Sequence, residues 1–145
     1  MADTLNGRPG TNFWIVGGVA LIWNLIGLVF YYLEVTAAPE ALANLTEAQQ
    51  AFLAGKPTWA TSAFAVAVTT GVLGSLLLLL RKALALPMFI ISLAAILVQN
   101  LHAFGMANGL EAWGTGATIL PAITIIIAVA LIVYARAARA RGWIS

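Results

Sequence analysis

The chain has 145 residues, 62% hydrophobic and 8% charged, with a formal net charge of +2, one histidine and no cysteine. So little polar surface cannot cover a water-soluble globule of this size, which excludes an ordinary soluble domain. The same composition excludes disulfide and thiolate chemistry and argues against a metal site or a bis-histidine haem held within one chain.

Residues 1–12, with Arg8, Pro9 and Gly10, read as a short polar tail. Apolar blocks then cover residues 13–34, 58–80, 83–106 and 117–136. Each holds roughly 20 residues, enough to cross a hydrocarbon core of about 30 Å at about 1.5 Å per residue. Backbone groups in lipid must be paired internally, so each block is predicted to be a helix. The first block is too long and too rich in Trp and Asn for a signal peptide and reads as a retained span. The ten-residue alternating segments of a β-barrel are absent. The predicted fold is all-α: an antiparallel bundle of four transmembrane helices forming one domain over residues 1–145.

The first connection, residues 35–57, is long for a bundle loop and is predicted to hold a short amphipathic helix. Thr46 and Gln49 have capping-box spacing, Leu42, Leu45, Phe52 and Leu53 supply an apolar stripe, and Gly55 and Pro57 end the segment. Such a helix would lie on the membrane surface and cap the bundle. Arg81 and Lys82 form the turn between the second and third spans. Pro87 reads as a helix start and Pro121 as a kink.

Charge gives the orientation. Arg8, Arg81, Lys82, Arg136, Arg139 and Arg141 fall on one side of the spans, and Lys56 alone falls on the other, with Glu34, Glu40, Glu47 and Glu111. The positive-inside rule then places both termini in the cytoplasm. It also accounts for the basic residues without a nucleic-acid partner, so none is expected. The expected partners are membrane lipids and either further copies of the chain or a larger membrane complex.

Each span carries small or polar residues at three- and four-residue spacing, which a helix gathers on one face. The first offers Gly17, Ala20, Asn24, Gly27, Tyr31 and Glu34, and the second Ala63, Ala67, Gly71 and Ser75 with Gly74 beside them. Ser92, Ala95, Gln99, His102 and Met106 follow in the third, and Gly114, Ala117, Pro121, Thr124 and Ala128 in the fourth. Lipid tails are as apolar as leucine, so helices associate through close packing and hydrogen bonds, and these faces are expected to point inward or toward another protomer. Gly17, Gly27, Ala63, Ala67, Gly71, Gly74 and Ser75 are the expected packing residues.

Polar side chains inside a span are candidates for function. Asn24, Tyr31, Glu34, Gln99, Asn100 and His102 form the candidate polar pocket, a vestibule opening outward that Asn108 and Glu111 could extend. No carboxylate, lysine or arginine stands near the middle of a span, which counts against a proton-coupled carrier. No catalytic set is present: His102 has Glu34 and Glu111 alone as prospective neighbours, and no serine stands at a nucleophile elbow. No catalytic residue, cofactor or metal is therefore expected.

Trp23-Asn24-Leu25-Ile26-Gly27 is followed by Leu45-Thr46-Glu47-Ala48-Gln49, Pro57-Thr58-Trp59, Gly71-Val72-Leu73-Gly74-Ser75 with a leucine run, and Arg81-Lys82. Over residues 13–95 this order resembles a family of small bacterial four-helix inner-membrane proteins often labelled sugar transporters. The resemblance implies the architecture and a bacterial inner membrane, and it carries no catalytic or transport motif onto particular residues. The functional expectation is a non-enzymatic accessory or assembly subunit, or a small homo-oligomer. The alternative is a transporter of neutral polar solutes such as sugars, dimeric or larger, with Asn24, Gln99 and Asn100 suited to hold the solute and Trp23, Tyr31 and Trp59 able to stack on it.

Overall fold

The structure, a computed structural model, describes residues 7–145, so residues 1–6 of the expected polar tail lie outside it. The described residues are helical and contain no strand. The helices are α1 (Thr11–Val35), α2 (Pro39–Ala43), α3 (Glu47–Ala54), α4 (Thr58–Leu79), α5 (Ala85–Asn100), α6 (Gly109–Trp113) and α7 (Ile119–Ala140). A π-helical turn, Leu101–Met106, continues α5, and a 3₁₀ turn, Thr115–Thr118, leads into α7. Four stretches are long and apolar enough to cross a membrane: Thr11–Val35, Thr58–Leu79, Ala85–Met106 and Thr115–Ala140. The chain is a multi-pass helical membrane protein.

The boundaries follow local chemistry. Thr46 accepts a hydrogen bond from the Gln49 amide and Gln49 answers to the Thr46 amide, so the capping box starts α3. Pro39 opens α2 and Pro57 precedes α4, positions where a missing N–H goes unnoticed. Pro121, expected as a kink, stands instead in the first turn of α7, where no intrahelical bond depends on its nitrogen. The third span begins at Ala85 rather than 83, because residues 81–84 are consumed by the turn. The fourth runs on to Ala140, so Arg136 and Arg139 sit on its last turns, where the helix dipole favours positive charge.

The spans pack in chain order: α1 against α4, α4 against α5, and α5 against α7. No extended α1–α7 contact closes the ring. These two helices meet at the end of the molecule that carries the basic turn. There Phe13 is buried, stacked on Tyr134 at 6.4 Å and edge-on to Trp143 at 6.0 Å between ring centroids. Leu78, Ala85, Phe89, Leu131, Ala135, Ala138 and Ile144 complete this core.

Two matching helix ends stand side by side here. In α7, Gly142 takes the left-handed conformation (φ 71°) while the Trp143 amide donates to Ala138 and that of Gly142 to Arg139. That is the Schellman motif, with glycine at its usual place. In α4, the Lys82 amide donates to Leu77 and that of Arg81 to Leu78, and the left-handed residue is Arg81 (φ 59°). An arginine here carries a Cβ penalty that glycine avoids. Its guanidinium accounts for the choice: Nε donates to the Trp143 carbonyl at 2.7 Å and Nη2 to that of Gly7 at 3.1 Å. Backbone bonds from Ser145 to Arg81 and from Ala83 to Ser145, both 3.0 Å, lace the tail to the turn.

Candidate functional site

Where α1 and α7 part, they leave a cleft of about 240 Å³ that all four long helices line. Trp23, Asn24, Gly27 and Phe30 come from α1, and Phe64, Ala67 and Val68 from α4. Ser92, Ile96, Gln99 and Asn100 belong to α5, and Leu120, Pro121 and Thr124 to α7. The walls are mostly apolar, the polar groups are amides and hydroxyls, and no ionisable side chain takes part. Phe30 and Leu120, both more than half exposed, form the rim on either side of the gap.

Most of the polar groups are already engaged. Asn24 Nδ2 donates to the Ala20 carbonyl at 2.8 Å and to Ser75 Oγ at 3.2 Å, and Ser75 Oγ donates to Gly71 at 2.9 Å. Ser92 Oγ donates across the α4–α5 interface to Ala67 at 2.7 Å. Asn100 and Thr124 each donate one bond within their own helix, to Ile96 and Leu120. Gln99 is different: half-buried on the cleft wall, its amide makes no hydrogen bond among the described residues.

The small residues allow these approaches. A Cβ on Gly71 would lie 2.1 Å from Asn24 Oδ1, one on Gly74 2.8 Å from the Phe89 ring, and one on Gly17 2.5 Å from Leu79. Gly27 is looser, with Val68 at 3.4 Å from the same position. Ala67 and Ser75 are buried and Ala63 half-buried. On the third span the π turn interrupts the expected stripe, and Met106 is exposed.

The expected vestibule is divided rather than continuous. Asn24, Gln99 and Asn100 share the cleft, whereas Tyr31, Glu34 and His102 line no part of it. Tyr31 packs edge-on against Phe64 at 5.4 Å between centroids. Glu34 accepts a hydrogen bond from Lys56, whose ammonium sits 5.3 Å from the Phe64 ring centroid. His102 is buried beneath the loops, edge-on to Trp59 at 5.3 Å and tilted against Phe52 of α3 at 6.4 Å. The physical cause is the π turn: its i→i+5 bonding, as from the Ala107 amide to His102, widens the helix and turns His102 off the Gln99 face. Of the aromatics expected to stack on a ligand, Trp23 alone lines the cleft. Asn108 and Glu111 line a separate hollow between α3 and α6.

Compared with known proteins, the chain matches no family model, no curated protein and no solved structure. The cleft therefore has to be read from its own chemistry. No group of three or more metal-ligating side chains occurs among the described residues. The cleft offers shape, amide and hydroxyl hydrogen bonds, and an indole face, and these are means of holding an uncharged molecule. Phe30 and Leu120 escaped the sequence reading because an apolar residue at a cleft rim and one facing lipid are the same residue in sequence.

Proposed function

We propose that this chain is a non-catalytic inner-membrane protein whose four-helix cleft binds a small uncharged molecule. It would work as an accessory subunit or a homo-oligomer. The observation that carries this reading is the cleft of about 240 Å³, formed by all four spans, with mostly apolar walls whose polar groups are uncharged. A charged ligand would leave its ion unpaired in a low-dielectric site, at a cost of several kcal/mol. Transport of the same molecule is the second reading, favoured by the convergence of Asn24, Gln99 and Asn100 on one cavity.

Native mass spectrometry of protein extracted gently from its own membranes tests the binding reading. Wild type is expected to retain a small adduct, and Thr124→Phe, which fills the cleft, to lose it while keeping its thermal stability. An adduct equally abundant in both proteins, or none in either, would sink the proposal. Uptake of that molecule into proteoliposomes would then separate carrier from accessory subunit.

The proposed orientation, with both termini in the cytoplasm, rests on the grouping of Arg8, Arg81, Lys82, Arg136, Arg139 and Arg141 on one side. Because the chain has no cysteine, single exposed substitutions report the side cleanly. Asn108→Cys is expected to react with an impermeant maleimide on intact cells, and Ala140→Cys to react after permeabilisation alone. The reverse pattern would invert the assignment.

A further inference from the structure

Resting on the proposal that the cleft binds an uncharged molecule, we infer that this molecule is a neutral amphiphile entering sideways from the membrane. Its hydrogen-bonding head would sit on Gln99 and its apolar tail would leave between Phe30 and Leu120. Three observations carry the inference. The packed pairs run α1–α4–α5–α7, and α1 meets α7 at the Phe13–Tyr134 end without an extended contact beyond it, so the cleft has a side opening between two membrane-spanning helices. The rim residues Phe30 and Leu120 are 54% and 53% exposed, so each is apolar both to the cleft and to the surroundings of the bundle. Gln99 is the lining amide that makes no hydrogen bond among the described residues.

Size and lining select the occupant. The cleft, about 240 Å³, is close to the lower end of small-molecule pockets, which run to about 300–1,000 Å³. Water alone is a poor match for walls this apolar, and a purely apolar occupant would leave the Gln99 amide unsatisfied. A free sugar fits the opposite way: its many hydroxyls would face Ile96, Val68, Phe64 and Leu120. An ester carbonyl would accept from Gln99 Nε2 while a neighbouring hydroxyl donates to its Oε1, and Asn100 Oδ1 and Ser92 Oγ lie on the same lining as further acceptors.

The probe is a monoacylglycerol carrying a photoreactive diazirine on its acyl chain beside the ester, presented to the whole protein in lipid nanodiscs. Labelling is expected to concentrate on Phe30, Leu120 and Thr124, to saturate, and to be displaced by 1-octanoylglycerol but not by glucose or glycerol. Gln99→Leu is expected to weaken saturable labelling about tenfold, the loss of one good hydrogen bond in a dry site. It should leave thermal stability unchanged, because the amide has no partner among the described residues. Should that variant fold poorly, Leu120→Trp at the exposed rim serves instead, narrowing the gap and cutting the labelling rate. Non-saturable labelling spread evenly over the lipid-facing helices would overturn the inference. Displacement by glucose would overturn it too, while leaving the uncharged-ligand reading intact. No saturable labelling, together with no adduct by mass spectrometry, would remove both.

Discussion

Gly71→Leu is expected to prevent recovery of folded protein from membranes, and Gly71→Ala to lower stability by about 1–3 kcal/mol through overpacking. The reason is geometric. The place a Cβ would take lies 2.1 Å from Asn24 Oδ1 and 2.9 Å from its Cγ, and α4 is held on its other side by the Ser92–Ala67 hydrogen bond to α5. The glycine's Cα thus faces the amide oxygen of Asn24 directly, the close approach in which a weak Cα–H···O contact forms. Moving Asn24 also breaks its bond to Ala20 within α1 and its bond to Ser75 of α4, the latter worth about 0.6–2 kcal/mol between membrane helices. A double-mutant cycle isolates the contact. Asn24→Ala combined with Gly71→Ala should cost less than the two single changes added together, by about 1–2 kcal/mol, because the small side chain removes the obstacle. Thermal unfolding in one detergent reads all four corners. Strict additivity, or Gly71→Leu as abundant and heat-resistant as wild type, would mean that α1 and α4 do not meet at this point.

The second large effect is expected at Arg81. Replacement by alanine removes the two guanidinium bonds to the Trp143 and Gly7 carbonyls, each worth about 1.5–3 kcal/mol for a charged donor. It also keeps the left-handed strain at φ 59° that any Cβ incurs. Glycine removes the same bonds and relieves the strain, so Arg81→Gly should be more stable than Arg81→Ala by about 1 kcal/mol. Lysine restores the charge without the planar fork and should rescue little. The readout is hydrogen exchange at the Trp143 and Ser145 amides, which donate to Ala138 and Arg81 and are expected to be slow when the tail is laced down. Equal protection in wild type and Arg81→Ala, or alanine outranking glycine, would refute the clamp.

These two sites mark how far the sequence could be read. Asn24, Gly71 and Ser75 stand out because helical periodicity gathers them on facing sides of neighbouring spans, and periodicity is a local property. The capping box of Thr46 and Gln49 is equally local, and it is present. Arg81 is the contrary case. In the sequence it serves the charge asymmetry of the loops, and nothing nearby announces a left-handed residue. The contacts that favour it lie 62 and 74 residues away in the chain. The candidate pocket divided for a related reason. Six polar residues on two spans suggested one vestibule, but whether they converge depends on a π turn at Leu101–Met106 and on the pairing of Glu34 with Lys56. Neither leaves a signature in a hydrophobicity pattern. The cleft itself is set by what fails to pack, α1 against α7, and absent contacts have no sequence signal.

The order of packing has a consequence for biosynthesis. Because each span leans on the one made immediately before it, a ribosome delivering the chain can add helices one at a time, each finding its partner already in the bilayer. The tail at residues 143–145 is the exception: its binding site, the turn at Arg81, is finished long before the tail is made. Until then the guanidinium of Arg81 has the Gly7 carbonyl as a partner but not that of Trp143. Closing that latch takes residues that follow the fourth span, so it distinguishes a chain with all four spans in place from one that has lost its fourth.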